Sequence, residues 1–114
     1  MANTPERIYL IVLAAADAEI AARGEYTAPS LAAEGFLHAS GSVDQLLRVA
    51  NRKFLGEPRL AVLCVDPARV VAEVRYEQGR DPAPFPHIYG PLNGNAIVEL
   101  KELRRGPEGR FATL

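Results

Sequence analysis

Two apolar runs, Arg7-Ile-Tyr-Leu-Ile-Val-Leu13 after its leading cation and Leu60-Ala-Val-Leu-Cys-Val65, set the narrowest limits on what this chain can fold into. A strand with one wet face alternates apolar and polar residues, so a run that does not alternate predicts a strand covered on both faces. Both runs therefore belong at the centre of a layered structure. A chain of 114 residues suffices for one such structure, hiding roughly two thirds of the unfolded surface. The expectation is a single domain over residues 1–114, with 1–6 and 105–114 as flexible or peripheral ends.

Between and after these runs the pattern is mixed. Ala14 to Arg23 is rich in helix formers and stops at Gly24, and Leu31 to Glu34 can make one helical turn before Gly35. Phe36 to Ser40 reads as a short strand between breakers. Ser42 and Gln45 form a capping-box pattern ahead of Val43, Leu46, Leu47, Ala50 and Phe54 at helical spacing, with Asp44, Arg48, Asn51 and Arg52 on the wetter side and Gly56 and Pro58 as the stop. Val70 to Glu77 alternates like a peripheral strand, and Gln78 to Pro86 is a proline-stiffened loop. Asn93-Gly94 marks a turn before a last strand, Asn95 to Leu103. Two to three helices and five or so strands, mixed or antiparallel, make a small α+β domain rather than a repeating βαβ fold.

Thirteen basic and fourteen acidic side chains leave a net charge of -1, so no field gathers a polyanion and nucleic acid is an unlikely main partner. Cys64 is the single cysteine, which excludes an internal disulfide and points to the cytoplasm; inside its apolar run it reads as buried and inert. The stretch Ile8 to Ala16 is too short to span a bilayer. Only Arg7 precedes it as a cation, and Asp17 and Glu19 follow, so neither a membrane nor a signal peptide is indicated. No G-x-G-x-x-G, phosphate loop or G-x-S-x-G elbow is present, which disfavours a Rossmann domain, a nucleotide triphosphatase and an α/β-hydrolase.

Both histidines fall in the two least random segments, Glu34 to Ser40 and Pro84 to Asn93. A period of two places Phe36, His38 and Ser40 on one strand face, where an imidazole and a hydroxyl can each donate to or accept from a ribose or phosphate oxygen. The plainer alternative is a strand histidine bonded to Ser40 or to backbone. In the second segment Pro84, Pro86 and Pro91 bracket His87, Ile88, Tyr89 and Gly90, and Gly90 would admit a ligand or another backbone at close range. Glu77 is the nearest carboxylate, and Arg52-Lys53 and Arg104-Arg105 can clamp a phosphate. Two histidines without cysteine or clustered carboxylates do not make a metal site. The expectation is that His38, Ser40, His87 and Tyr89 line one concave surface, with His87 less tied to the core than His38.

The order Ile8-Tyr9, Gly24-x-Tyr26, Ser30-Leu31-x-x-Glu34-Gly35-Phe36-Leu37-His38-x-Ser40, Gln45, Val49-Ala50-Asn51, Phe54, Leu60 to Asp66, Tyr76-Glu77 and Phe85-Pro86-His87-Ile88-Tyr89-Gly90-Pro91-Leu92 resembles a bacterial and plant family, domain of unknown function 952. The chain departs from that family after its first strand, where Leu10 and an alanine-rich run replace a cation and a Trp. The resemblance implies an ADP-ribosyltransferase-like fold, in which NAD lies in a cleft between two small sheets and its nicotinamide-ribose bond is broken. The reading built on it has His38 and Ser40 holding ribose or phosphate, Tyr89 stacking or hydrogen-bonding with Phe36 and Gly90 nearby, and His87 giving a proton or touching phosphate, with Glu77 the best available carboxylate. Two other readings stay open: a two-histidine phosphoesterase, and a ligand-binding module without turnover.

Overall fold

The structure, a computed structural model, describes residues 6–12, 24–57 and 59–114. Its elements in chain order are β1 (Ile8–Val12), β2 (Glu25–Tyr26), α1 (Pro29–Glu34), β3 (Leu37–His38), α2 (Val43–Lys53), β4 (Arg59–Val65), β5 (Glu73–Glu77), β6 (Phe85–Tyr89), β7 (Leu92–Asn93) and β8 (Ile97–Arg104), with short 3-10 turns at Pro67–Arg69 and Gly94–Ala96. The segments 13–23 and Pro58, on which a helix and a helix stop were expected, lie outside the described residues.

The two apolar runs form the antiparallel pair β1 and β4, Ile8 opposite Val65 and Val12 opposite Ala61, and β8 extends the sheet beyond β4. Both faces are covered, as the missing alternation requires. On one, Ile8, Leu10, Val12, Leu63 and Val65 pack with Leu37, Ile88 and Leu92. On the other, Leu60, Val62, Cys64 and Leu103 pack under Leu46 and Ala50 of α2 and under Phe111. Burial pushes the Cys64 thiol up, so this cysteine is a wall residue rather than a nucleophile.

A second antiparallel sheet runs β3-β6-β5, and β2 pairs with β7. The two larger sheets meet at Ser40, whose backbone exchanges hydrogen bonds of 2.7 and 2.8 Å with Tyr9 of β1. This junction corrects the expected strand Phe36 to Ser40. Leu37 and His38 pair with β6, but the chain then changes partner. The loop after β5 is also shorter than expected, because β6 already includes Pro86, which contributes its carbonyl to the Ala39 amide at 3.2 Å. A proline that only needs to accept is tolerated there. The fold is a small α+β domain with antiparallel sheets. Among the described residues no helix is long and apolar enough to cross a membrane.

The segment 105–114, expected as a flexible or peripheral end, is exposed over most of its length and docks through Phe111. Phe111 is buried at 2 % exposure, and Asn51 holds its backbone from both sides: Nδ2 donates to its carbonyl and Oδ1 accepts from its amide, each at 2.8 Å. Asn51 is thus a tether rather than a wet-face residue.

Helix α2 begins as the capping pattern predicts, with the Ser42 hydroxyl accepting from the Gln45 amide at 3.1 Å. The Gln45 side chain is buried and spans a gap. Its Oε1 accepts from the Gly41 amide at 2.7 Å, and its Nε2 donates to Asp81 at 3.2 Å and to the Ala83 carbonyl at 3.0 Å. Asp81 is also gripped by Arg48, Nε to Oδ1 at 2.7 Å and Nη2 to Oδ2 at 3.0 Å. The Arg48 guanidinium holds the Asp81 carboxyl well below the usual carboxylate range. A carboxyl depressed in the folded state stabilises in full above its unfolded pKa of about 3.9, and that contribution drains away as pH falls below it. Asp81→Asn is therefore expected to be less stable than the parent at neutral pH and to lose less on acidification from about pH 5 to 3. Urea midpoints at both pH values check this. Parallel loss in the two proteins would show that other carboxylates dominate the acid limb.

Candidate functional site

Because Leu37, Pro86 and Ile88 are buried on the core side of the second sheet, the alternate residues project from its other face. That face carries Phe36, His38, Phe85, His87 and Tyr89. The His87 imidazole stacks on Phe36, ring centres 4.0 Å apart and planes at 19°, and lies parallel to Phe85 at 6.4 Å. His38 meets the same Phe36 edge-on at 5.0 Å, and the two imidazoles are opposite each other in register with centres 5.5 Å apart. The two histidine motifs, nearly fifty residues apart in sequence, converge.

Each imidazole has a carboxylate behind it. His87 Nδ1 is 2.8 Å from Glu77 Oε1, which also accepts from the Tyr89 hydroxyl at 2.5 Å. These bonds, Tyr89 first and His87 second, hold the Glu77 carboxyl below its ordinary range, while the bond to Glu77 pushes the Tyr89 phenol up. An ionised carboxylate only accepts, so Nδ1 carries the hydrogen and Nε2 is the nitrogen left to act on a ligand. His38 Nε2 is 3.0 Å from Glu34 Oε2, one turn back across the α1 cap. Gly35, at φ 88°, makes that cap possible: its amide closes on the Leu31 carbonyl in the left-handed conformation that glycine favours.

Beside the histidines, where the two sheets meet α2, lies a cavity of about 390 Å³. His38, His87, Arg52, Lys53 and Arg80 line it, over apolar walls that include Ile11, Val49, Phe54 and Phe85. Among the described residues no Asp or Glu is on this wall. Arg52 reaches across it, Nη1 donating to the Arg80 carbonyl at 3.1 Å. Pockets of this size and make-up, apolar with a few convergent polar groups, suit small molecules, and these polar groups suit an anion. Among the described residues no three His, Cys, Asp or Glu side chains gather as metal ligands would.

Of the residues singled out in sequence, Phe36, His38, His87, Tyr89 and Glu77 come together, but of the four expected to line one concave surface only His38 and His87 do, Tyr89 being bonded to Glu77 off the cavity wall. Three further roles change. Ser40 is buried at 4 % exposure beside Tyr9 and off the cavity wall, because its backbone has left β6 for β1. Gly90 makes room for Ala72, whose Cβ would lie 3.0 Å from an added side chain, rather than for a ligand. Glu77 touches His87 and Tyr89 instead of lining the cavity, so it positions the imidazole. Arg80 was not singled out, since an arginine among loop prolines has no periodicity to mark it. Arg104 pairs with Glu102 and Arg105 reaches the Leu55 carbonyl, and neither is on the cavity wall.

No curated protein matches the chain. Among solved structures it is similar to protein CC0527 from Caulobacter crescentus. The crystal structure is 27% identical with a TM-score of 0.80, covering 93% of each chain. The solution structure is 28% identical with a TM-score of 0.76, covering 91% of this chain and 90% of that one. The histidine motifs both fall within residues 11–100, the span that matches the model described as protein of unknown function (DUF952), and the chain belongs to that family.

Proposed function

We propose that the cavity binds a phosphate-bearing nucleotide, NAD or a related phosphoribosyl compound. The observation that carries this reading is the wall itself: three cationic residues and two histidines, no carboxylate among the described residues, and an apolar floor. Phosphate oxygens suit Arg52, Lys53 and Arg80, and a base or nicotinamide ring suits the aromatic stack around Phe36 and Phe85. The position between two small sheets agrees with the ADP-ribosyltransferase-like cleft that the family resemblance implies. In glycosidic cleavage of NAD the nicotinamide leaves neutral with the bond pair, so the proton to be moved is that of the incoming water or hydroxyl; His87, its Nδ1–H held by Glu77, would hold ribose or phosphate and take that proton at Nε2. With Glu77 set behind it, stabilisation of the oxocarbenium-like centre falls to ligand positioning.

One observation favours a second reading, phosphoester chemistry by two histidines. Both imidazoles are hydrogen-bonded to carboxylates and stand edge to face with ring centres 5.5 Å apart, so both can reach one phosphate group as base and acid. Calorimetric titration with NAD, ADP-ribose, AMP and a 2′,3′-cyclic nucleotide at matched ionic strength tests binding, and nicotinamide release and cyclic-phosphate opening separate the chemistries. Binding of at least one compound is expected, weakened about tenfold or more in Arg52→Glu, as loss of a charge-assisted contact implies. Failure of all four to bind, or binding indifferent to Arg52→Glu, overturns the proposal. Binding without either turnover leaves a ligand-binding module.

A further inference from the structure

The cationic wall is assembled from two elements that have no backbone ladder between them: Arg52 and Lys53 end α2, and Gly79 and Arg80 belong to the loop joining β5 to β6. Like charges brought together repel, so something must hold the loop against the helix. Arg52 itself donates to the Arg80 carbonyl, and a second, buried contact lies directly behind the wall. Arg48, one turn before Arg52, grips Asp81, the residue after Arg80, through two parallel bonds of 2.7 and 3.0 Å. Gln45, one turn earlier again, adds a bond to Asp81 and another to the Ala83 carbonyl. The Asp81 carboxylate also accepts from the Ala83 amide at 3.1 Å, and the Gln78 side chain closes the loop on the Asp81 carbonyl at 2.7 Å. The Asp81 side chain is only 1 % exposed.

We propose that Asp81 is a positioning residue for the anion cavity: clamped by Arg48 and Gln45, it fixes Arg80 beside Arg52 and Lys53 so that the three cations converge before a ligand arrives. The inference rests on the phosphate reading of the cavity. Preorganisation of this kind lowers the ordering cost that binding otherwise carries.

The sign of one substitution separates positioning from simple electrostatics. Asp81→Asn removes a negative charge next to an anion site, so by Coulomb's law alone it tightens anion binding. If Asp81 positions the wall, the same change weakens binding, because a neutral amide cannot hold the guanidinium bidentately and the loop loosens. Inorganic pyrophosphate is the probe, titrated calorimetrically into the full chain at a temperature where circular dichroism shows both proteins folded. The expected result is a loss of about tenfold or more in affinity for Asp81→Asn, the scale of one misaligned charge-assisted contact. Gln45→Met, which leaves every charge in place and breaks the same clamp, is expected to weaken binding in the same direction and decides the matter should Asp81→Asn not fold. Unchanged or tighter binding in the folded variant overturns the inference while leaving the phosphate reading intact. A parent protein that does not bind pyrophosphate overturns the phosphate reading, and this inference with it.

Discussion

Phe111→Ala is expected to lower the unfolding free energy by about 3–5 kcal/mol, the cost of emptying a large aromatic site in a packed core. Phe111 is among the largest fully buried side chains, packed with Leu46, Ala50, Leu60, Val62 and Leu103. Two hydrogen bonds from Asn51 fix its backbone, so the tail cannot shift to refill the space without losing them. A cavity here opens between α2 and the first sheet, beside Leu46, Leu60 and Leu103. At about 4–8 °C per kcal/mol for a domain of this order, the melting temperature should fall by more than about 10 °C. Phe111→Leu, which keeps most of the volume, is expected to lose much less. A melting temperature within a few degrees of the parent in Phe111→Ala would mean that residues 105–114 do not dock as described.

The same residue shows where sequence reasoning stops. The runs Ile8 to Val12 and Leu60 to Val65 declare their burial because a whole strand must be apolar to be covered twice, and α2 declares itself through spacing and a Ser42 cap. Phe111 is one aromatic in a polar tail, with no period to reveal it. Ser40 illustrates a second limit. Period-two reasoning holds while a strand keeps its partner, and the switch from β6 to β1 after His38 is a tertiary event that leaves no local mark. Of His38, Ser40, His87 and Tyr89, expected together on one concave surface because each motif sets polar groups on alternate positions, the two histidines meet on the cavity wall and Ser40 and Tyr89 lie off it. What was not legible was depth: the register places Glu77 opposite Phe85, from where it reaches diagonally to His87 and Tyr89 and stops short of the cavity. The α2-to-loop clamp was invisible for the same reason, because Gln45 and Asp81 are 36 residues apart.

Substituting the two histidines is expected to give opposite structural results and the same functional one. The sequence suggested that His87, next to a stiff loop, would be the easier to remove; the structure reverses this. His87 is central in β6 with its side chain 13 % exposed, stacked on Phe36 and bonded to Glu77, whereas the His38 side chain is 51 % exposed and touches Glu34 at the surface. His87→Ala removes a mostly buried ring and leaves Glu77 short of a donor, which costs about 1–3 kcal/mol. His38→Ala should remain within about 0.5 kcal/mol of the parent, the usual range for a surface change. In ligand the two should agree. A nucleotide at a hundredfold excess over its dissociation constant stabilises the parent by about 2.7 kcal/mol, and each variant is expected to lose most of that increment at the same concentration. Melting curves with and without the tightest binder among NAD, ADP-ribose, AMP and the cyclic nucleotide measure both quantities at once. His38→Ala is the sharper test, because its unliganded stability is unaltered and a lost increment can only reflect binding. Retention of the full increment in His38→Ala would place the ligand away from the histidine pair, since a side chain on the cavity wall cannot be deleted from a ligand's contacts without effect.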